Sequence, residues 1–243
     1  MQTYNYIEIA KETPRKRGVL IPKQELPTHM NGVPLYRSMY LYTKDAYDYA
    51  DSNNNSLRSY YGTRAIDNIL IDVDKEQNTD DFTLKKCQSI VYQLTNDFDL
   101  QTHSFRVFFS GSGYHIIIPN SVFNFKPGEE IFFQVKDTMV KMFPEIDSSV
   151  YMRTGLYRVA HTINPKTGLY KVPLTYQEIM NSTWQKIHDL AKTSRMEFPY
   201  TELFGDGELE SYIVNEQSVS RTMGKVMEPR KVATCIQAMY NQG

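Results

Sequence analysis

The chain has 243 residues, a net charge of −1, 41% hydrophobic and 23% charged residues, enough for a sizeable core in one large domain or a domain with an appended subdomain. That balance excludes a global basic field as the means of holding nucleic acid, and no stretch is apolar for long enough to suggest a membrane span. Two cysteines, Cys87 and Cys235, exclude a four-cysteine zinc site and a disulfide scaffold.

Residues 1–35 carry Pro14, Pro22, Pro27 and Pro34 and read as an extended, loop-rich lead-in. The polar start with Pro14-Arg15-Lys16-Arg17 is not a signal peptide, which with free thiols predicts a reducing cytosol. Leu35–Tyr42 is a short aromatic strand or helix start, and 51–56 is a polar loop. Asn68-Ile69-Leu70-Ile71-Asp72-Val73-Asp74 is β-branched and apolar, the pattern of a buried strand. Asp80 and Asp81 sit at an expected N-cap, followed at helical spacing by Leu84, Cys87, Ile90, Val91 and Leu94. Ser104–Ser110 and Tyr114–Pro119 predict a hairpin around Gly111-Ser112-Gly113. A helix is predicted over 127–143, between Pro127 and Pro144. Tyr157–Ile163 and Tyr170–Leu174 are strand-like and flank the turn Asn164-Pro165-Lys166-Thr167-Gly168, and 175–192 reads as one helix. The order strand–helix–hairpin–helix–strand predicts an α+β fold: an RRM-like or split β-α-β half with a mostly antiparallel sheet flanked by helices, plus an N-terminal α/β module. Most of the eighteen tyrosines are expected half-buried on strands, and Trp184 in the core.

Three segments carry chemistry. Asp72 and Asp74 end an apolar strand where a sheet opens to solvent, and convergence of both on one ion is expected through twist or a bulge at the strand's end. Hard carboxylate oxygens there suit Mg²⁺ or Mn²⁺, with Asp147 as third ligand. In Ser110–His115 the glycines let backbone amides approach an anion, the serine hydroxyls add donors, and His115 can donate to a phosphate whose charge favours the protonated ring. A tight hairpin with a histidine bonded to a local carbonyl uses the same residues. From 148 to 177 the chain has Arg153, Arg158, Lys166 and Lys171 and no acid, a local positive wall. Arg158 and Lys166 offer phosphate contacts, and His161, Thr162 and Asn164 lie on the approach. His29, His103 and His188 have no supporting constellation.

Together, Ile69–Asp74, Ser110-Gly111-Ser112-Gly113-Tyr114-His115, Asp147 and the stretch from Arg158 through Asn164-Pro165-Lys166-Thr167-Gly168-Leu169 to Val172-Pro173-Leu174 resemble the archaeo-eukaryotic primase (primase-polymerase) superfamily. The resemblance covers residues 36–190, and the last stretch is its longest part. It implies that Asp72, Asp74 and Asp147 are catalytic metal ligands in a two-metal site. It implies that Ser110, Ser112, Gly113, His115, Arg158, Asn164 and Lys166 bind the nucleotide. The chain departs from the pattern at Asn164, where many relatives have histidine, and at Ala160 and Thr162, which replace proline and serine. The turn before His115 is one residue shorter than in cellular primases, which fits the phage- and plasmid-type enzymes, and there is no zinc-binding stem.

The resemblance further implies primer synthesis on a single-stranded DNA template from NTPs or dNTPs, in the cytoplasm of a bacterial or archaeal host cell, beside a replicative helicase. A repair or translesion polymerase of the same superfamily, and a catalytically silent origin-binding module, share the signals. A rolling-circle nickase is disfavoured, because position 117 is isoleucine rather than a second histidine. Domains are expected at 1–200, catalytic, and 201–243, where Glu228–Ile236 resembles the start of a helical accessory domain; a truncated longer primase and a minimal core both fit.

Overall fold

The computed structural model describes residues 2–30, 32–75, 79–196 and 203–214. The chain forms two compact units, Met1–Ile213 and Val214–Gly243. The expectation of a helical accessory segment, with Cys235, lies outside the described residues.

The amino-terminal segment is a sheet rather than a loose lead-in. β1 (Tyr6–Lys11) and β2 (Val19–Pro22) pair antiparallel, and β3 (Leu35–Ser38) pairs with the other side of β1. Alternation buries Ile7 and Ile9 of β1 with Ile21, Leu35 and Val159 in a small apolar cluster. The prolines fall outside the paired interiors, at the end of β2 and in the 3₁₀ turn Lys23–His29. A two-stranded ribbon follows, of β4 (Tyr40–Leu41) and β5 (Ala65–Ile66), separated by α1 (Lys44–Ser52).

β6 (Asn68–Val73) is the predicted buried strand. Next comes α2 (Asp80–Tyr92), whose N-cap is Thr79 rather than an aspartate: its side chain accepts from the Phe82 amide, which leaves Asp80 and Asp81 as favourable charges in the first turn. β7 (Arg106–Phe109) and β8 (Tyr114–Pro119) form the predicted hairpin. α3 (Ile131–Met142) starts later than predicted, because Gly128 is held in a bridge to Arg64. The two strand-like runs around residue 164 pair only next to the turn, where Ile163 bridges Tyr170 and the Lys171 amide donates to the Thr162 carbonyl at 2.9 Å, and their outer parts diverge. β9 (Leu156–Arg158) pairs with β3 of the first sheet, while β10 (Val172–Leu174) pairs with β7 of the second. The chain changes sheets at His161, a non-glycine residue with φ of 62°. Beyond β10 the predicted single helix is two, α4 (Tyr176–Asn181) and α5 (Trp184–Leu190), each with its own threonine cap. Trp184 is partly buried against the core.

Two four-stranded antiparallel sheets result, in the orders β2-β1-β3-β9 and β10-β7-β8-β6. In the second sheet β6 and β7 run parallel with β8 between them, a split β-α-β unit closed by α2. Ile69, Ile71, Val73, Val107, Phe109, Ile116 and Ile118 fill one face, and α2 packs Cys87, Ile90, Val91 and Leu94 into the same core. None of the described helices is long and apolar enough to cross a membrane.

The turn between β7 and β8 lies on the end of β6. Gly111 has φ of 92°, and a Cβ on Gly113 would come within 2.4 Å of the Val73 carbonyl oxygen. Gly113→Ala should therefore push the turn off β6 and destabilise the protein by roughly 1–3 kcal/mol, read as a lower chemical-denaturation midpoint at unchanged m-value. Gly128→Ala, whose Cβ would meet nothing within 4 Å, is the control and should cost far less.

Candidate metal and nucleotide site

The acidic cluster is built from strand alternation. Residues i and i+2 of a strand share a face, so Asp72 and Asp74 converge without a bulge, and the register with β8 runs unbroken from Asn68 to Val73. The expectation that a distortion was needed is corrected accordingly. β6 is also an edge strand, with outward carbonyls to satisfy. The Tyr151 hydroxyl donates to the Leu70 carbonyl at 2.6 Å, and the Asp147 amide donates to the Asp72 carbonyl at 3.3 Å. The segment 147–151 thus closes the edge and sets Asp147 beside the strand. Arg64, buried across its length, donates to the Arg153 carbonyl at 2.9 Å and holds the far end of that segment.

One carboxylate oxygen from each of Asp72, Asp74 and Asp147 lies within 4.8 Å of the others, so the three could hold a metal ion. Asp147 is oriented by the amide and hydroxyl of Ser149, at 2.8 and 2.7 Å. Oδ1 of Asp72 is buried and has no hydrogen-bond partner, an acceptor that a hard cation would satisfy. Burial, and then repulsion from Asp74 and Asp147, push the Asp72 carboxyl up to about 7, partly offset by Lys171 and Arg158.

His115 stands directly opposite Asp72 in the β6–β8 register, with Nε2 3.6 Å from Asp72 Oδ1. Burial, with the Lys171 and Arg158 cations, holds its pKa well below the usual histidine range, so the ring is neutral in the protein alone rather than imidazolium. Ser110 closes the turn on itself: its amide donates to the Gly113 carbonyl at 2.7 Å, and its hydroxyl accepts from the Gly113 amide at 3.2 Å. Ser112 is exposed at the tip. Arg158, at the end of β9, reaches across from the first sheet and donates through Nη2 to the Ser110 carbonyl, which also receives Asn164 Nδ2 at 3.2 Å. Both residues therefore clamp the glycine turn. The Nε of Arg158 is buried without a hydrogen-bond partner, a donor left for an anion.

Other expected residues lie elsewhere. Lys166 is exposed on its loop, where its amide donates to Asn164 Oδ1 at 3.0 Å. Arg153 is taken by Glu130 at 2.7 Å and by the rings of Tyr61 and Phe132, and Thr162 is buried with its hydroxyl donating to the Val159 carbonyl. Sequence reasoning missed Lys171 as a site residue. It is 1% exposed, and its Nζ sits 2.8 Å from His115 Nδ1. The signal was available: a lone charge leading into the apolar run Val172-Pro173-Leu174, with no acidic neighbour in sequence.

No model of a known protein family matches the chain, and no curated protein matches it.

The raised carboxyl of Asp72 binds its proton more tightly in the folded chain than in the unfolded one, so stability falls as pH rises from the usual 3.8 towards about 7. Asp72→Asn removes that dependence. The stability of the metal-free variant relative to the parent should rise between those limits and level off above, by at most about 4 kcal/mol. Denaturation midpoints at a series of pH values measure it. Mn²⁺ should stabilise the parent more at pH 8 than at pH 5, and an equal effect at both would count against the three-carboxylate site.

Proposed function

We propose that the protein is a DNA primase or primase-polymerase, a nucleotidyltransferase that builds primers on single-stranded DNA from NTPs or dNTPs. The observation that carries this reading is the meeting of Asp72, Asp74 and Asp147 beside a glycine-rich turn, with His115 opposite Asp72. These residues come from three separated segments and have no shared structural need to gather four ionisable groups at one sheet end. The split β-α-β unit β6-α2-β7-β8, in the sheet order β7-β8-β6, is the part that fits an RRM-like half, while β10 adds beside β7 and β9 belongs to the first sheet.

In this reading the three aspartates would hold Mg²⁺ or Mn²⁺, and two such ions would supply acidification of an attacking 3′-hydroxyl and charge neutralisation on the leaving pyrophosphate. The rest of the work falls to this chain's own groups. Backbone amides of the 111–113 turn and the Ser112 hydroxyl cradle the triphosphate, and the Arg158 guanidinium adds a fixed positive charge. His115 donates one hydrogen bond from a neutral ring, which spares the site a second proton on its imidazole. Positioning and electrostatic stabilisation are most of what phosphoryl transfer asks of a protein. Single-stranded DNA is the template partner, a replicative helicase would provide it unwound, and the cytoplasm of a bacterial or archaeal host is the matching compartment.

Incubation with unprimed single-stranded DNA, labelled NTPs or dNTPs, and Mg²⁺ or Mn²⁺ should yield short primers. Asp72→Ala and Asp74→Ala should each reduce incorporation by more than about a hundredfold while the circular dichroism spectrum is retained. Parent-like synthesis by either variant refutes the metal assignment. Extension of a primed template alone would assign a repair or translesion polymerase instead, and template binding without incorporation an origin-binding module.

A further inference from the structure

Lys171 is a buried cation that the nucleotide site, as described, does not require. It precedes β10, on the strand face it shares with Phe108 and His115 of the neighbouring strands. Taking an ammonium out of water is costly unless its protons are used. Here Nζ lies 2.7 Å from the Arg158 carbonyl oxygen and 2.8 Å from His115 Nδ1, over the faces of Phe108 and Tyr157 at 4.9 and 5.1 Å. The side chain thus spans the seam between the sheets and ends on the one histidine of the acidic cluster.

We propose that Lys171 is a positioning residue that fixes His115 as the tautomer with Nδ1 unprotonated and Nε2–H directed at the acidic cluster. Nζ carries N–H donors, two of them even without its extra proton, and the Arg158 carbonyl at 2.7 Å and Nδ1 at 2.8 Å are the two acceptors it faces, an arrangement in which Nδ1 offers its lone pair. At the other end of the ring Nε2 faces Asp72 Oδ1 at 3.6 Å. That separation is too long for a hydrogen bond, so the Nε2 proton is held ready rather than spent. The tautomer of a functional histidine is generally set by what its second nitrogen bonds, and here that partner is a lysine instead of the usual carbonyl or carboxylate. The functional consequence, donation of Nε2–H to a phosphate oxygen, rests on the nucleotide-site reading; the tautomer does not.

Two-bond ¹H–¹⁵N correlation on the ¹⁵N-histidine-labelled full chain reads the tautomer directly, with His115 assigned by its loss in His115→Asn. The parent should show Nδ1 unprotonated and Nε2 protonated. Lys171→Met, close in length and apolar, should give mixed or inverted tautomers, and Lys171→Gln, which keeps an N–H donor, should restore the parent pattern. In the incorporation assay Lys171→Met should raise the nucleotide KM by on the order of tenfold with a smaller change in kcat, and Lys171→Gln should lie between. A protonated Nδ1 in the parent overturns the proposal whether or not either variant folds, as does an unchanged pattern in folded Lys171→Met. A tautomer change with an unaltered KM would keep the positioning role and remove the nucleotide reading.

Discussion

The register that sets Asp72 against His115 is the constraint on which the site depends. The Leu70 and Asp72 carbonyls are used by the 147–151 segment, away from β8, so Asp72 and His115 form a non-hydrogen-bonded pair. Side chains approach closest in such pairs. A slip of one residue would carry Asp72 into the apolar layer of Ile69, Ile71 and Val73 and turn isoleucines towards the pocket. The packing of those residues against α2 is therefore what guards the polar face on the other side of the strand.

The polar face is a balance of opposed costs. Three aspartates crowd at the open end of β6 and raise the Asp72 carboxyl, while Arg158 and Lys171 supply positive charge from beneath. Burial lowers the Lys171 pKa, Arg158 lowers it further, and the nearby Asp72 works the other way. Arg158 belongs to the first sheet by its backbone and to the second by its guanidinium. The glycine turn, the histidine and the acidic strand are consequently held from both sheets at once. Such a frame favours a pocket formed in advance of its ligand.

Much of this arrangement could be read from the amino acids, for identifiable reasons. β6 and the β7–β8 hairpin were legible because apolar β-branched runs and a Gly-Ser-Gly turn are local signals. Gathering Asp147 with Asp72 and Asp74 came from the resemblance and not from spacing, since one aspartate carries almost no signal alone. The first sheet was hidden by its prolines, which mark loops in sequence yet lie at strand ends and in a 3₁₀ turn. The turn at 164–168 closes the short pairing that its composition announces, but that signal says nothing of the arms beyond it, where β9 and β10 part to separate sheets. What separates the two strands is the conformation at His161, which nothing in its neighbours announces. Lys171 escaped because it was counted among surface-type charges, although its place at the head of an apolar run was a signal, and its burial confirms that signal.

The fourth strand of the first sheet arrives late in the chain: Tyr36 of β3 pairs with Arg158 of β9, more than a hundred positions downstream. During synthesis, β1, β2 and β3 can associate early, but the outer side of β3 stays uncovered until that distant segment has emerged. Contacts so far apart in sequence are slow to form. The nascent protein therefore carries an open backbone edge from the synthesis of Ser38 until that of Leu156, a natural binding place for chaperones and the point from which misassembly would start.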